Sequence, residues 1–289
     1  MTVNPLSTLS LLLTCACFAT LTAPVLKAQP RKPAVVFAVF PEAGEGSMDA
    51  VVMVDGVRLR RPYNDELETA RDTFARKYFA AGKVYRLIFG GGDAGSVKVT
   101  KWDLGCNNIH ATVTTSTSAR LGGKVMALAT DSETLGKKGS SRRPPTDAER
   151  AAVLTLVKNI YRQRGTPAGL APSINVTNLT ATDLDGDGIH ELVGSFTLSA
   201  KNKFQRDLFL IAKAQGAVMR ADFTKWQAYQ PPAEGFLSSI DFIDQLDLDR
   251  NGVGEVFAQQ GGFDGYALLV FKKVGGRWQQ VFDQAGDAC

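Results

Sequence analysis

Histidine is nearly absent from this chain. His110 and His190 are the only two among 289 residues. Neither belongs to an H-E-x-x-H pair, and no G-x-S-x-G occurs. The residues of a zinc-peptidase helix and of a hydrolase nucleophile elbow are therefore missing. Cysteine is scarce as well, at four. Cys15 and Cys17 lie in an apolar leader, which leaves Cys106 and Cys289. That is too few for a disulfide framework, and either one bridge or two unpaired thiols can result. No long apolar run follows Ala23, which excludes a polytopic membrane protein. The formal net charge of +4 excludes an overall polycation, and no nucleic-acid partner is expected.

Lys27 is the first charged side chain. The segment Leu9-Ser-Leu-Leu-Leu13 runs through Phe18 to Ala23 as the apolar core of a secretory signal spanning 1–28. Cleavage is expected at Leu26-Lys-Ala28, before Gln29, with Ala19 as the other site. The rival is an uncleaved N-terminal membrane anchor. The location implied is secreted, periplasmic or cell-envelope. Charge divides along the rest. Residues 29–170 hold 22 Lys+Arg against 14 Asp+Glu, whereas residues 171–289 hold 10 against 15. A basic first part and an acidic second part follow.

What the chain has in quantity is glycine, 28 residues, and phenylalanine, 16. That mixture suits short strands and tight turns, so the fold class expected is mainly β. Residues 33–133 read as a small β-rich domain. Asp55-Gly56 between two β-forming runs suggests a type I′ hairpin. Asp65–Ala81 is a helix capped by Asn64, with Leu67, Phe74 and Tyr78 near one face. Gly90-Gly-Gly92-Asp-Ala-Gly95 satisfies G-x-G-x-x-G, but the β-forming Ser96–Thr100 follows where a dinucleotide site needs a helix. It reads as a glycine hairpin. Residues 134–172 form a basic linker and a helix. Lys137, Lys138, Arg142 and Arg143 are either a solvated connector or a patch for an anionic surface. Thr146 and Glu149 make a capping box ahead of Val153, Leu156, Val157 and Ile160, and Gly165 ends the helix.

Residues 173–289 contain a repeat. Asp183-Leu-Asp185-Gly-Asp187-Gly188-Ile-His-Glu191 and Asp247-Leu-Asp249-Arg-Asn251-Gly252-Val-Gly-Glu255 share D-x-D-x-[DN]-G-x-x-E, 64 residues apart. Each is preceded by one strand-like stretch and followed by three. A hard cation such as Ca²⁺ takes six to eight oxygens at about 2.3–2.6 Å. Side chains 1, 3 and 5 of a tight loop converge, the glycine at 6 lets it fold back, and the carbonyl of residue 7 joins them. The acid at 9 closes the set. The candidate metal ligands are Asp183, Asp185, Asp187, Ile189 and Glu191, then Asp247, Asp249, Asn251, Val253 and Glu255. The first loop, with four acids, is expected to bind more tightly. His190, at position 8, is expected to face solvent. Position 12 is Gly194 or Ala258 instead of glutamate, and β stretches flank both loops, so neither is an EF-hand.

The pattern resembles the calcium loops of FG-GAP (integrin α) and VCBS repeats, over about residues 174–282. The resemblance implies structural Ca²⁺ and tandem antiparallel β units. Two repeats cannot close a seven-bladed propeller, so a partial propeller or a sandwich is expected. Family members often carry Asp where Glu191 and Glu255 stand. The function implied is an exported, monomeric binding or scaffolding protein with a protein or glycan partner and no turnover. The alternative is an exported hydrolase of polysaccharide, lipid or phosphoester that uses Ca²⁺ structurally.

Overall fold

The computed structural model describes residues 32–105, 108–136, 141–200, 204–216, 218–229, 239–262 and 265–288. The leader, Cys106, Cys289, Lys137 and Lys138 lie outside them. Lys32–Cys289 forms one compact unit. The fold is mainly β with antiparallel sheets, as the composition suggests. Among the described residues, no helix is long and apolar enough to cross a membrane.

The chain opens with β1 (Ala34–Phe40), β2 (Gly46–Asp55) and β3 (Arg58–Arg60), then helix α1 (Glu68–Tyr78). There follow β4 (Val84–Phe89), β5 (Gly92–Leu104), β6 (Ile109–Thr117) and β7 (Ala127–Thr130). Their order is β1-β7-β4-β5-β6-β2, and β2 pairs back onto β1. Six antiparallel strands thus close a barrel, which leaves no free edge in the ring; β3 hangs on β2 outside it. Residues alternate strictly across β1. Val35, Phe37 and Val39 point into the barrel core with Tyr85, Leu87, Val97 and Val113. Val36 and Ala38 point outward.

Two local expectations need correction. The turn after Asp55 is Gly56-Val57, with Asp55 paired to Arg58. Gly56 has φ +65° while Val57 stays negative, which is the type II′ arrangement and not I′. Helix α1 starts at Glu68. Asn64 accepts the Glu66 amide in a turn of its own, so Leu67 is left extended and 53% exposed instead of packed. The glycine-hairpin reading holds: Gly90 and Gly91 form the two-residue turn between β4 and β5, both at positive φ.

Helix α2 (Asp147–Gln163) begins with the capping box of Thr146 and Glu149. A short 3-10 turn then leads into β8 (Asn175–Thr182), β9 (Glu191–Ala200), β10 (Phe204–Gln215) and β11 (Val218–Tyr229), a four-stranded meander. A second meander consists of β12 (Ile240–Leu246), β13 (Glu255–Gly261), β14 (Gly265–Val274) and β15 (Arg277–Ala288).

Three apolar seams stack these parts. Val153, Val157 and Tyr161 of α2 pack on Leu192, Phe196, Leu208 and Leu210 of the first meander. The opposite face of that sheet (Val193, Phe209, Ile211) meets Phe242, Val256, Leu269 and Phe271 of the second. The far face of the second (Ile243, Phe257, Leu268, Val270) lies against the barrel's outer residues Val36, Val52 and Leu128. Helix, sheet, sheet and barrel are consecutive layers. Both meanders are therefore covered on both faces, which is why Ala267–Phe271 is continuously apolar instead of alternating.

Residues 141–143 run through the junction as a strap. Ser141 N donates to Gly90 O, and Arg143 bridges to Ala181. Arg142 is the main departure from the sequence expectation. It does not face solvent: its side chain is 3% exposed, lies between the Phe89 and Phe242 rings, and donates to the carbonyls of Met126 and Ile243. Arg143 is held by both carboxylate oxygens of Glu149 at 2.8 Å. A guanidinium carries five N–H donors, and at the layer junction two carbonyls, the Thr180 hydroxyl and the Asp244 carboxylate receive them where the connector's polarity alone suggests water.

Candidate functional site

Each acidic loop is the hairpin between the first and second strands of its meander, and the two are built alike. In the first, Asp183 accepts the amides of Gly186 and Gly188, and Asp187 accepts that of Ile189. In the second, Asp247 accepts the amides of Asn251 and Gly252, and Asn251 accepts that of Val253. The position-9 acids reach back across their loops. Glu191 accepts the Leu184 amide at 2.8 Å, and Glu255 accepts the Leu248 amide at 2.7 Å. Leu184 and Leu248, at position 2, are buried and anchor the loops to the layers beneath.

The reversal at position 6 falls where the motif places it: Gly188 has φ +83° and Gly252 φ +90°. Position 4 is left-handed too. Gly186 takes φ +71°, and Arg250 takes φ +65°, the one positive φ among the described non-glycine residues. The loops also touch, since the Gly254 amide donates to Leu184 O at 2.7 Å.

Carboxylates converge in part: positions 1, 3 and 5 come together in the first loop without Glu191, and positions 1, 3 and 9 in the second. Ligand atoms of Asp183, Asp185 and Asp187 lie within 4.8 Å of one another, as do those of Asp247, Asp249 and Glu255. Ile189 and Val253, expected to contribute their carbonyls, are fixed in the loops by their amides, which donate to Asp187 and Asn251. His190 turns its Nε2 to Ser141 O at 2.9 Å and is half-buried, so it ties the loop to the strap instead of facing solvent.

Two residues that the motif does not include complete the site. Lys213, on β10, places its Nζ 2.8 and 2.9 Å from the two Asp185 oxygens, 2.7 Å from Asp187 and 2.8 Å from Glu191. Lys272, on β14, places its Nζ 2.7 Å from Asp249 and 3.0 Å from Glu255. The sheet register puts both there. Ala212 pairs with Leu192 and Phe271 with Val256, so one step further Lys213 and Lys272 stand opposite Glu191 and Glu255.

The electrostatics follow. Burial by itself pushes the Lys213 ammonium towards neutrality, but Asp185, Asp187 and Glu191 outweigh it and hold the pKa above the ordinary lysine range. Lys272 is raised by Asp249 and Glu255 against the same opposing burial. Burial raises Glu191 and Glu255, and the lysines pull them part of the way back. Asp187 is lowered, chiefly by its bond from Lys213.

The donor set is all oxygen, which suits a hard cation. The position between residues 3, 5 and 9 of the first loop, however, holds an ammonium. The sequence carries a signal for it: Leu208–Ala212 and Ala267–Phe271 are each five apolar residues ended by lysine. Seen as part of the repeat, that lysine is a fixed position. A second missed residue is Gln245, whose Nε2 donates to Thr182 Oγ1 at 2.7 Å and Asp183 O at 2.9 Å, linking the two sheets beside the first loop.

Comparison with known proteins supplies no relative: no protein-family model matches the chain, and no curated protein or solved structure matches it.

Proposed function

We propose that this is an exported binding or scaffolding protein, without turnover, built on two FG-GAP-like repeats that form a two-blade stack. The observation that carries the reading is the pair of four-stranded meanders, each with the acidic loop in its first hairpin and the loops bonded through Gly254 and Leu184. Such blades have two apolar faces and need a cover at each end of the stack. Helix α2 supplies one and the barrel the other. The acidic hairpins stay partly exposed at the loop end, where a protein or glycan partner can reach them. The leader over 1–28 supports export, either cleaved into a secreted or periplasmic form or retained as an envelope anchor.

Calcium, which the resemblance implies, matches these loops in ligand type. It does not match their occupancy, because an ion at the centre would have to displace the lysine nitrogens. The loops therefore have a structural role, held by their own lysines.

The test is a turnover screen of the purified protein on polysaccharide, lipid and phosphoester substrates, with the mature N-terminus read by mass spectrometry. No hydrolysis and a start at Gln29 are expected. Turnover that disappears on replacing clustered acids outside the loops would establish the hydrolase instead.

A further inference from the structure

The repeated loop carries a cation in both copies, and in both copies it is part of the chain. Lys213 meets four oxygens of three carboxylates within 2.9 Å, which matches the three N–H donors of an ammonium. Lys272 does the same in smaller measure, with two carboxylates within 3.0 Å. Neither is a surface lysine draped over an acid: their side chains are 15% and 22% exposed. Both stand one register step beyond the same ladder pair of the repeat, opposite the position-9 glutamate. Position 9 is where this chain carries the longer glutamate, and that carboxylate spans from the lysine to the position-2 amide.

We propose that Lys213 and Lys272 are resident counter-ions that take the calcium position of each loop, so that the two hairpins fold without metal and exclude it. A tethered ammonium acts at a high effective concentration that neither dilution nor a chelator lowers. Calcium then has to dislodge a group already bonded to the oxygens it needs. The second loop, whose lysine holds fewer oxygens, is the easier of the two to invade. A protein released into a compartment of variable calcium keeps its stack either way. This inference does not depend on the binding role proposed above, since a catalytic protein could carry the same lysines.

The experiment is thermal denaturation in EGTA and in millimolar CaCl₂, together with calorimetric titration of CaCl₂, on the wild type, Lys213→Met and Lys272→Met. The wild type is expected to show the same melting temperature in both buffers and no micromolar binding. Lys213→Met should lose roughly 5 °C in EGTA, recover part of it in calcium, and acquire a calorimetric signal for one ion. Lys272→Met should do likewise at the second loop. If Lys213→Met is insoluble without metal, its recovery in calcium supports the proposal, and Lys272→Met repeats the test. Micromolar calcium binding by the wild type overturns it, whatever the variants do. Variants that stay indifferent to calcium also overturn it.

Discussion

Arg142 and Asp244 meet inside the molecule, Nη1 to Oδ2 at 3.5 Å, with side chains 3% and 0% exposed. Asp244 also accepts the amides of Gly90 and Gln245. One pair thus fastens the strap, the barrel's glycine turn and the second meander. Removing one partner of a buried pair leaves an uncompensated charge, at a cost of about 3–5 kcal/mol. Arg142→Met is expected to lose that much in urea denaturation. The double variant Arg142→Met with Asp244→Asn should lose less than the two single changes together.

The same aspartate gives a pH signature. Burial raises Asp244 to about 6, with Arg142 and the amides opposing the rise. The folded state keeps the proton up to about pH 6, whereas the unfolded chain releases it near 3.8. This contribution to stability is therefore full below 3.8 and is lost as pH rises to about 6. Urea midpoints measured across that window should rise for Asp244→Asn relative to the wild type as pH increases. Parallel curves would reject the assignment.

Glu149 acts with the opposite sign. The bidentate bond from Arg143 lowers it to about 2, and the Thr146 amide assists against burial. Its contribution is present above the ordinary value of 4.5 and disappears as pH falls towards about 2. Glu149→Gln should flatten the acid limb of a denaturation series over that interval. Thr146→Ala, which removes the other half of the capping box, should cost about 1 kcal/mol above the Glu149 titration, and less below it because the Thr146 side chain helps to lower Glu149.

Phe271 lies in the seam that the two meanders share. Its ring stacks on Phe209 at 5.4 Å and tilts against Phe223 at 5.2 Å, and it is fully buried. Phe271→Ala should cost about 3–5 kcal/mol, a large fraction of the roughly 5–15 kcal/mol that holds a domain together. Guanidinium midpoints give the value directly.

Arg250 occupies a left-handed position that its counterpart fills with Gly186. Left-handed backbone costs a side-chain-bearing residue about 1–2 kcal/mol. Arg250→Gly is expected to raise stability by about 0.5–1 kcal/mol, because the freedom glycine adds to the unfolded chain offsets part of the relief. The variant also gives up the bond from Arg250 to the Thr134 hydroxyl, and an unchanged or lower melting temperature would show that this bond outweighs the strain.

Much of this architecture is written in local signals. The capping box, the glycine turn at Gly90-Gly91 and the strands around both acidic loops follow from turn chemistry and apolar runs, which act over a few residues. Barrel closure does not, because the β1–β7 pairing (Val36 with Thr130) and the β2–β6 pairing (Gly46 with Val113) join segments far apart in the chain and leave no local trace. Arg142 reads as solvent-facing because its neighbours are polar, yet its acceptors are carbonyls from β12 and the segment before β7. Tyr161, whose hydroxyl donates to Phe196 O and Arg206 O, hides its role in the same way. The lysines of the loops are a third case. The acids are contiguous and can be read as a motif, whereas the cation is contributed by a strand more than twenty residues later. Only aligning the whole repeat exposes it.

The layer order fixes how this chain can grow. Helix α2 seals the outer face of the first meander and the barrel seals that of the second, so neither end of the stack can accept another sheet. A duplicated repeat would have to enter between β11 and β12, where both of its faces would find a neighbouring sheet. Each insertion would move helix and barrel apart by about 10 Å, the spacing of packed sheets. The molecule is in that sense a ruler with two fixed ends, set to its shortest length that contains a sheet-to-sheet seam.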